Sequence, residues 1–221
     1  MRTKREIGNY RNERSFLRQT AAILCAVILS AAGVLLSGCG EPKKAREARL
    51  QGIEQMNQKQ FEDAIISFDT ALNEADGVVD EFELDILKYR GEAEYRLGDY
   101  EAAVHTYEIL EDVDGERQEY LRCRNRAKVQ SANEKGLDLL EEGNSEDAIA
   151  AFEEGLVLAE ESGDETLIQE AKQLLSYNMG AAYEKQGEFA RALEIFQEYA
   201  SAYGMSEKLE KEITFLNGRI N

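Results

Sequence analysis

The chain has 221 residues, 43% hydrophobic and 32% charged, a balance that excludes both a disordered chain and a multi-span membrane protein. Its 44 Asp and Glu against 26 Lys and Arg leave a net charge of −18, which excludes nucleic-acid binding through a phosphate-neutralising face. One Pro and 17 Gly fit a helical chain broken by many short turns.

The charge is divided unevenly. Residues 1–38 hold six basic and two acidic side chains, and the remainder carries a net −22. A basic head on an acidic body points to two regions with different tasks. Residues 21–36 are an apolar run diluted only by Ser30 and Gly33. A basic stretch before such a run is the layout of a secretory signal. The uncharged stretch is also long enough to span a bilayer as an uncleaved anchor.

The run ends in Leu36-Ser37-Gly38-Cys39. An aliphatic residue, two small residues and a Cys resemble the lipobox of bacterial lipoproteins. The resemblance implies a signal peptide over 1–38 and a diacylglycerol on the Cys39 thiol. A short tether over 39–42 would follow, and the body would be lipid-anchored on the outer face of the cell membrane, facing the periplasm if an outer membrane exists. The uncleaved-anchor reading also leaves the body outside the cytoplasm, because the basic flank stays inside. Extended, residues 40–43 reach roughly 14 Å, so the body is expected close to the bilayer. With Cys25 lost and Cys39 acylated, Cys123 is the one remaining thiol, and no internal disulfide can form.

The rest of the chain repeats itself. The fullest copy is Gly180, Tyr183, Gly187, Phe189, Ala192, Phe196 and Tyr199. A second reads Gly91, Gly98, Tyr100, Ala103, Tyr107 and Leu110, with Glu94 where Tyr would stand. A third reads Gly136, Leu139, Gly143, Ala148, Phe152 and Gly155, with Ser145 in place of the second aromatic. The first reads Gly52, Phe61, Ala64, Phe68 and Ala71, with Gln55 and Lys59 as departures. Small residues in step let two helices approach closely, and the aromatics fill the space beside them. Gly98, Gly143 and Gly187 fit left-handed caps, and Asp99 and Asn144 fit N-caps.

This pattern resembles the tetratricopeptide repeat. The resemblance implies an all-α fold: a right-handed superhelix of about four helix pairs over 43–203, with a capping helix in 204–221. The spacing departs from the family. The first glycines are 39, 45 and 44 residues apart, against a family unit of about 34. Residues 80–97, 116–142 and 164–186 read as unbroken helical pattern, so the extra length belongs to the first helices of repeats two to four.

No phosphate loop, paired-Cys motif or His-Glu-x-x-His is present, and one His, His105, excludes a two-His metal site. No enzyme activity, cofactor or metal is expected. Residues 74–83 match much of a calcium loop, but Leu72 stands where its first Asp ligand belongs, so an acidic turn is the simpler reading. Arg117, Arg122, Arg124, Arg126 and Lys128 form a basic band that either pairs with neighbouring carboxylates or docks a partner.

In the family, the first helix of each pair lines a concave groove that holds a protein or peptide. Matching positions here are Arg49, Lys88, Tyr89, Tyr95, Asn133, Tyr177 and Asn178, joined by Ile53, Glu92, Leu137 and Glu184. Arg49 with Ile53, and Lys88 with Glu92, do not keep the family's Lys and Asn clamp for a C-terminal carboxylate. The acidic body favours a partner with a basic segment. Two functions follow: an envelope adaptor that assembles other proteins, or an accessory subunit of a cell-wall or secretion enzyme.

Overall fold

The structure is a computed structural model that describes residues 42–75, 77 and 79–220. The signal, the lipobox with Cys39, and Asp76 of the acidic turn lie outside the described residues. Lys43 onward forms one compact unit. Its described residues make nine α-helices and no strand: α1 Lys43–Asn57, α2 Phe61–Glu74, α3 Glu81–Leu97, α4 Tyr100–Asp114, α5 Gln118–Glu142, α6 Ser145–Glu161, α7 Glu165–Gln186, α8 Phe189–Tyr203 and α9 Glu207–Ile220. The first helices lengthen as the spacing requires, from 15 residues in α1 to 17 in α3, 25 in α5 and 22 in α7.

Each pair is closed by one device. The mid-helix glycine of the first helix lies against an aromatic ring of the second. A Cβ on Gly52, Gly91, Gly136 or Gly180 would come within 2.5, 3.0, 2.3 or 2.6 Å of Phe68, Tyr107, Phe152 or Phe196. Ala64, Ala103, Ala148 and Ala192 are fully buried at the start of the second helices. Small residues on both sides let the helices touch, and the rings then fill what would be voids.

The turns follow local rules. Gly98, Gly143 and Gly187 end α3, α5 and α7 at φ of 86°, 88° and 87°, a conformation that only glycine adopts freely. The same place after α1 is held by Lys59, at φ 59°. Asp99 caps α4 through the Ala102 N–H at 3.4 Å. Asn144 does not cap α6 with its side chain, contrary to the expectation from its position. The acidic turn before α3 is a capping box: Asp80 Oδ1 accepts from the Phe82 N–H at 2.7 Å, and Glu83 Oε2 accepts from the Asp80 N–H at 3.2 Å.

Consecutive helices pack on each other along the whole unit. The first helices of neighbouring pairs also meet, α1 with α3 and α5 with α7, while second helices make no comparable approach. The stack therefore curves with first helices inside and second helices outside: an all-α solenoid. Its apolar core is continuous from α5 to α9, whereas α1 to α5 hold two smaller clusters. Leu209 and Leu216 of α9 are buried and close the far end.

Candidate partner-binding cleft

The concave side is not uniform. Between α1 and α3 and between α5 and α7 the first helices pack together, and side chains bridge α3 and α5, Lys88 to Glu119 and Tyr95 to Arg126. The space between α3 and α5 is a cleft of about 370 Å³ lined by Asp85, Lys88, Tyr89, Glu92, Tyr107, Glu119, Tyr120 and Cys123. Residues from α3 form one wall, and the N-terminal turns of α5 form the other.

Rings make the floor. Tyr120 is fully buried and Tyr107 nearly so. The Tyr120 hydroxyl donates to Asp114, which fixes the ring and holds the Asp114 carboxyl below its usual range. Lys88 Nζ lies 5.5 Å from the Tyr120 ring centroid and 3.7 Å from Glu119. Burial pushes the Cys123 thiol up, a hydrogen bond with Tyr107 pulls it down, and the charges of Glu92 and Glu119 push it further up. A thiol so placed is a packed group rather than a reactive one.

The expected groove residues all lie on first helices, but they do not gather in one site. Lys88 and Tyr89 line the cleft. Arg49, on α1, donates through Nε to Asp85 at 2.7 Å and lies over the rings of Phe82 and Tyr89 at 6.0 and 5.7 Å. Tyr89 also stacks on Phe68, with centroids 5.8 Å apart. Tyr95 meets Tyr100 edge-on and lies beneath Arg126. Asn178 Nδ2 donates to Asn133 Oδ1 at 2.7 Å, joining α7 to α5. Tyr177 packs on Phe196 and Tyr199 and carries Lys208 of α9 over its ring at 5.1 Å. These side chains hold neighbouring helices together, while Leu137, 41% exposed, stays open on the concave side.

The basic band is absorbed by carboxylates. Arg117 pairs with Asp114, Arg122 with Asp164 at 2.8 Å, Arg124 with Glu111, Arg126 with Glu170 at 3.4 Å, and Lys128 with Glu108 at 3.6 Å. Of the two readings of this band, the structure takes the paired one: the cations bind the long start of α5 to α4 on one side and to α7 on the other. Asp164, which also caps α7 through the Leu167 and Thr166 N–H groups, is held below its usual range mainly by those bonds. Arg124 and Glu111 have side chains only 21% and 8% exposed, so this pair is structural. His105, on α4, is exposed.

Asp85, Glu119, Tyr120 and Cys123 are cleft residues that the groove pattern missed. The reason lies in the comparison with known families. The tetratricopeptide-repeat family model matches residues 49–116 and 133–206. This chain belongs to the tetratricopeptide-repeat family. The unmatched stretch, 117–132, is the added start of α5, and it supplies Glu119, Tyr120 and Cys123. A repeat template assigns such residues no role, and Asp85, inside the matched region, lies outside the family's groove positions.

Tetratricopeptide arrays are scaffolds for contact between proteins, through the extended concave surface that their curvature creates. Among solved structures, the chain is similar to the Rap conjugation gene regulator of plasmid pLS20 bound to the Phr* peptide, at 18% identity and TM-score 0.42, over 80% of this chain and 47% of that one. It thus spans about half the length of that protein. It is also similar to MamA, residues 41 to the end, from Desulfovibrio magneticus RS-1, at 16% identity and TM-score 0.39, over 80% of this chain and 86% of that one. A MamA RS-1 double mutant matches at 17% identity and TM-score 0.40, over 81% and 86%. No curated protein is similar enough in sequence to count as a relative.

Proposed function

We propose that this chain is a lipid-anchored, extracytoplasmic adaptor that holds a protein or peptide partner against its concave face. The observation that carries the reading is the open cleft between α3 and α5, a concavity rimmed by exposed charge and floored by tyrosines in a family of interaction scaffolds. Tyr offers large contact area with a polar tip. The net −22 of residues 39–221 favours a partner with a basic segment, steered to the array by long-range attraction. The lipobox residues Leu36 to Cys39 support attachment to the membrane through Cys39.

Site-specific photo-crosslinking in membranes tests the binding face. Crosslinkers replacing Glu119 and Leu137 on first helices should give a discrete adduct, and one replacing Val157 on the second helix α6 should not. Equal yield from all three positions would sink the concave-face reading. Salt should reduce the adduct, since screened charges steer less. The anchor is tested separately: Cys39→Ala should abolish fatty-acid labelling and leave the longer precursor, and unchanged labelling would refute the lipoprotein reading. Tyr177→Ala is a poor binding probe, because Tyr177 holds Phe196, Tyr199 and Lys208 together. Reversal of Arg124 is no better, because it would strand Glu111 in a buried place.

A further inference from the structure

The cleft between α3 and α5 is already occupied by a cation of the chain itself. Lys88 reaches across from α3 to lie 5.5 Å from the Tyr120 ring centroid and 3.7 Å from Glu119 on α5. Its side chain is 36% exposed and that of Glu119 is 64% exposed. A long, flexible ammonium in an exposed pair of that length is weakly held. Beneath it Tyr120 is fully buried, with Arg117 also 5.9 Å from its ring centroid, so Lys88 is one part of the cover over a ring whose face attracts cations.

The other charged residues of the lining, Asp85, Glu92 and Glu119, have the opposite sign to Lys88. Glu92 and Glu119 both project into the cleft, and both are felt as negative charge by the Cys123 thiol. The partner of Glu92 is Arg96, one turn along the same helix at 2.6 Å, with a side chain 61% exposed. Such a surface pair is readily exchanged for another cation. Glu119, Tyr120 and Cys123, the α5 wall of the cleft, lie in the stretch 117–132 that the family pattern does not include, so the site belongs to this chain and not to the repeat in general.

We infer that the cleft receives an arginine side chain from an extended segment of the partner, and that this arginine displaces Lys88 from Tyr120 and Glu119. The inference rests on the concave-face reading above and names what that face recognises. Arginine is the fitting occupant for a physical reason. Its flat guanidinium stacks on a ring and bonds a carboxylate with two parallel N–H groups, where an ammonium offers a single point of charge. It is also less strongly hydrated, so it outcompetes the resident lysine for the same aromatic and carboxylate surfaces. Lys88 then acts as a built-in competitor: it keeps the ring covered when no partner is present and lowers affinity for stray cations.

The test uses the full chain in detergent micelles and a fluorescein-labelled Gly-Ser host peptide with one central arginine. Matched peptides carry citrulline, lysine or glutamate instead, and binding is read by anisotropy. The arginine peptide should bind best, with citrulline about tenfold weaker, the loss expected when a charged partner of a ring and carboxylate becomes neutral. Lys88→Met should tighten arginine binding several-fold, because the competitor is gone. Glu92→Gln with Glu119→Gln should weaken it about tenfold, while Glu146→Gln with Glu153→Gln, exposed on α6, should leave it unchanged. Lys88 and Glu92 are half-buried and Glu119, Glu146 and Glu153 are exposed, and unchanged helical circular dichroism confirms that each variant folds. Preference for the glutamate peptide, or weaker binding in Lys88→Met, would overturn the inference by showing an anion site. Equal losses from the cleft and α6 pairs would overturn it in favour of diffuse attraction. If no peptide binds while crosslinks at Glu119 and Leu137 still form, the arginine reading falls and the concave-face reading stands. If the crosslinks fail too, both fall.

Discussion

The first two repeats and the last two solve one packing problem in different chemistry. Three residues after each mid-helix glycine, the first helix presents a side chain to the second. In the first two repeats this side chain is polar and bonded: the Ser67 hydroxyl donates to Gln55 Oε1 and the Thr106 hydroxyl donates to Glu94 Oε2, each at 2.6 Å and each twelve residues apart. In the last two the same places hold Leu139 and Ala151, and Tyr183 and Ile195, in or beside the continuous core. The lesson is that the glycine–ring contact defines the pair, and the second contact is free to be polar so long as both partners are satisfied. The polar choice divides the N-terminal core into small clusters. The apolar choice lets the C-terminal core run on unbroken.

The largest expected effect comes from half-breaking a polar contact. Glu94 is 2% exposed and is also bonded to Arg90, which reaches Asp69 and Thr106 as well. Glu94→Ala leaves buried polar groups without a partner and should lower stability by about 3 kcal/mol, read as a shift in the urea midpoint at constant slope. Glu94→Leu with Thr106→Ala copies the third repeat and should recover part of that loss by removing the Glu94–Thr106 bond from both sides, while Arg90, which keeps its bond to Asp69, holds back the rest. A double variant as unstable as the single one would show that the two chemistries are not interchangeable.

Next in size is a test of the shared contact. Gly136→Ala should destabilise by about 1–3 kcal/mol through overpacking, because the new Cβ would be 2.3 Å from Phe152. Gly91→Ala meets Tyr107 at 3.0 Å, and the gain of about 0.5–1 kcal/mol from removing a helical glycine should leave it close to wild type. The reverse order in thermal melts would mean that the pairs are not closed in the same way.

Glu94 of the polar contact and two carboxyls outside it share a pH signature. Burial is the main cause that pushes Glu94 and Glu83 up to about 7 from the ordinary 4.5. Glu184, whose carboxyl faces Glu212 of α9, rises to about 7 as well, again mainly through burial. Carboxyls with raised values bind more protons folded than unfolded, so their contribution is fully present below about 4.5 and is lost as pH rises through about 7. The melting temperature should therefore fall by a few degrees between about pH 5 and pH 8, and Glu94→Gln should flatten the slope. A melting temperature that rises over that interval would contradict the assignment.

The smallest effect concerns the turn after α1. Lys59 stands at φ 59° where the other repeats have glycine, a conformation that is unfavourable for a residue with a Cβ by roughly 1–2 kcal/mol. Lys59→Gly should stabilise the chain by up to about 1 kcal/mol, since glycine's greater freedom when unfolded offsets part of the relief. A loss of stability would show that Lys59 makes a contact that outweighs its backbone.

The repeat itself was legible because it depends on short-range sterics. A glycine beneath a ring, an alanine at a helix crossing and a glycine in a left-handed turn each leave one residue type at one place, and four copies in step made the register unambiguous. The added length of α3, α5 and α7 was also readable, since residues 80–97, 116–142 and 164–186 keep a helical pattern without Pro, although α5 itself starts at Gln118. The groove was readable only as a set of first-helix positions. Whether Arg49 meets solvent or Asp85, and whether Asn133 faces a partner or Asn178, depends on how neighbouring pairs stack. The pairing of the basic band was one of two readings until α4 and α7 were seen on either side of it.

By itself, then, the order of residues pointed to a tetratricopeptide array, to the glycines that end α3, α5 and α7, and to the small residues at the crossings, because those features follow from backbone geometry and contacts within one helix pair. Only the tertiary structure decided that Lys88 and Arg126 bridge α3 and α5, that Tyr120 and Lys88 close the floor of the cleft there, and that the polar contacts of the first two repeats and the apolar ones of the last two occupy equivalent places. Those outcomes depend on long side chains meeting across different pairs, with Lys88 and Glu119 more than thirty residues apart in sequence, and no local rule of sterics or periodicity sets such a distance.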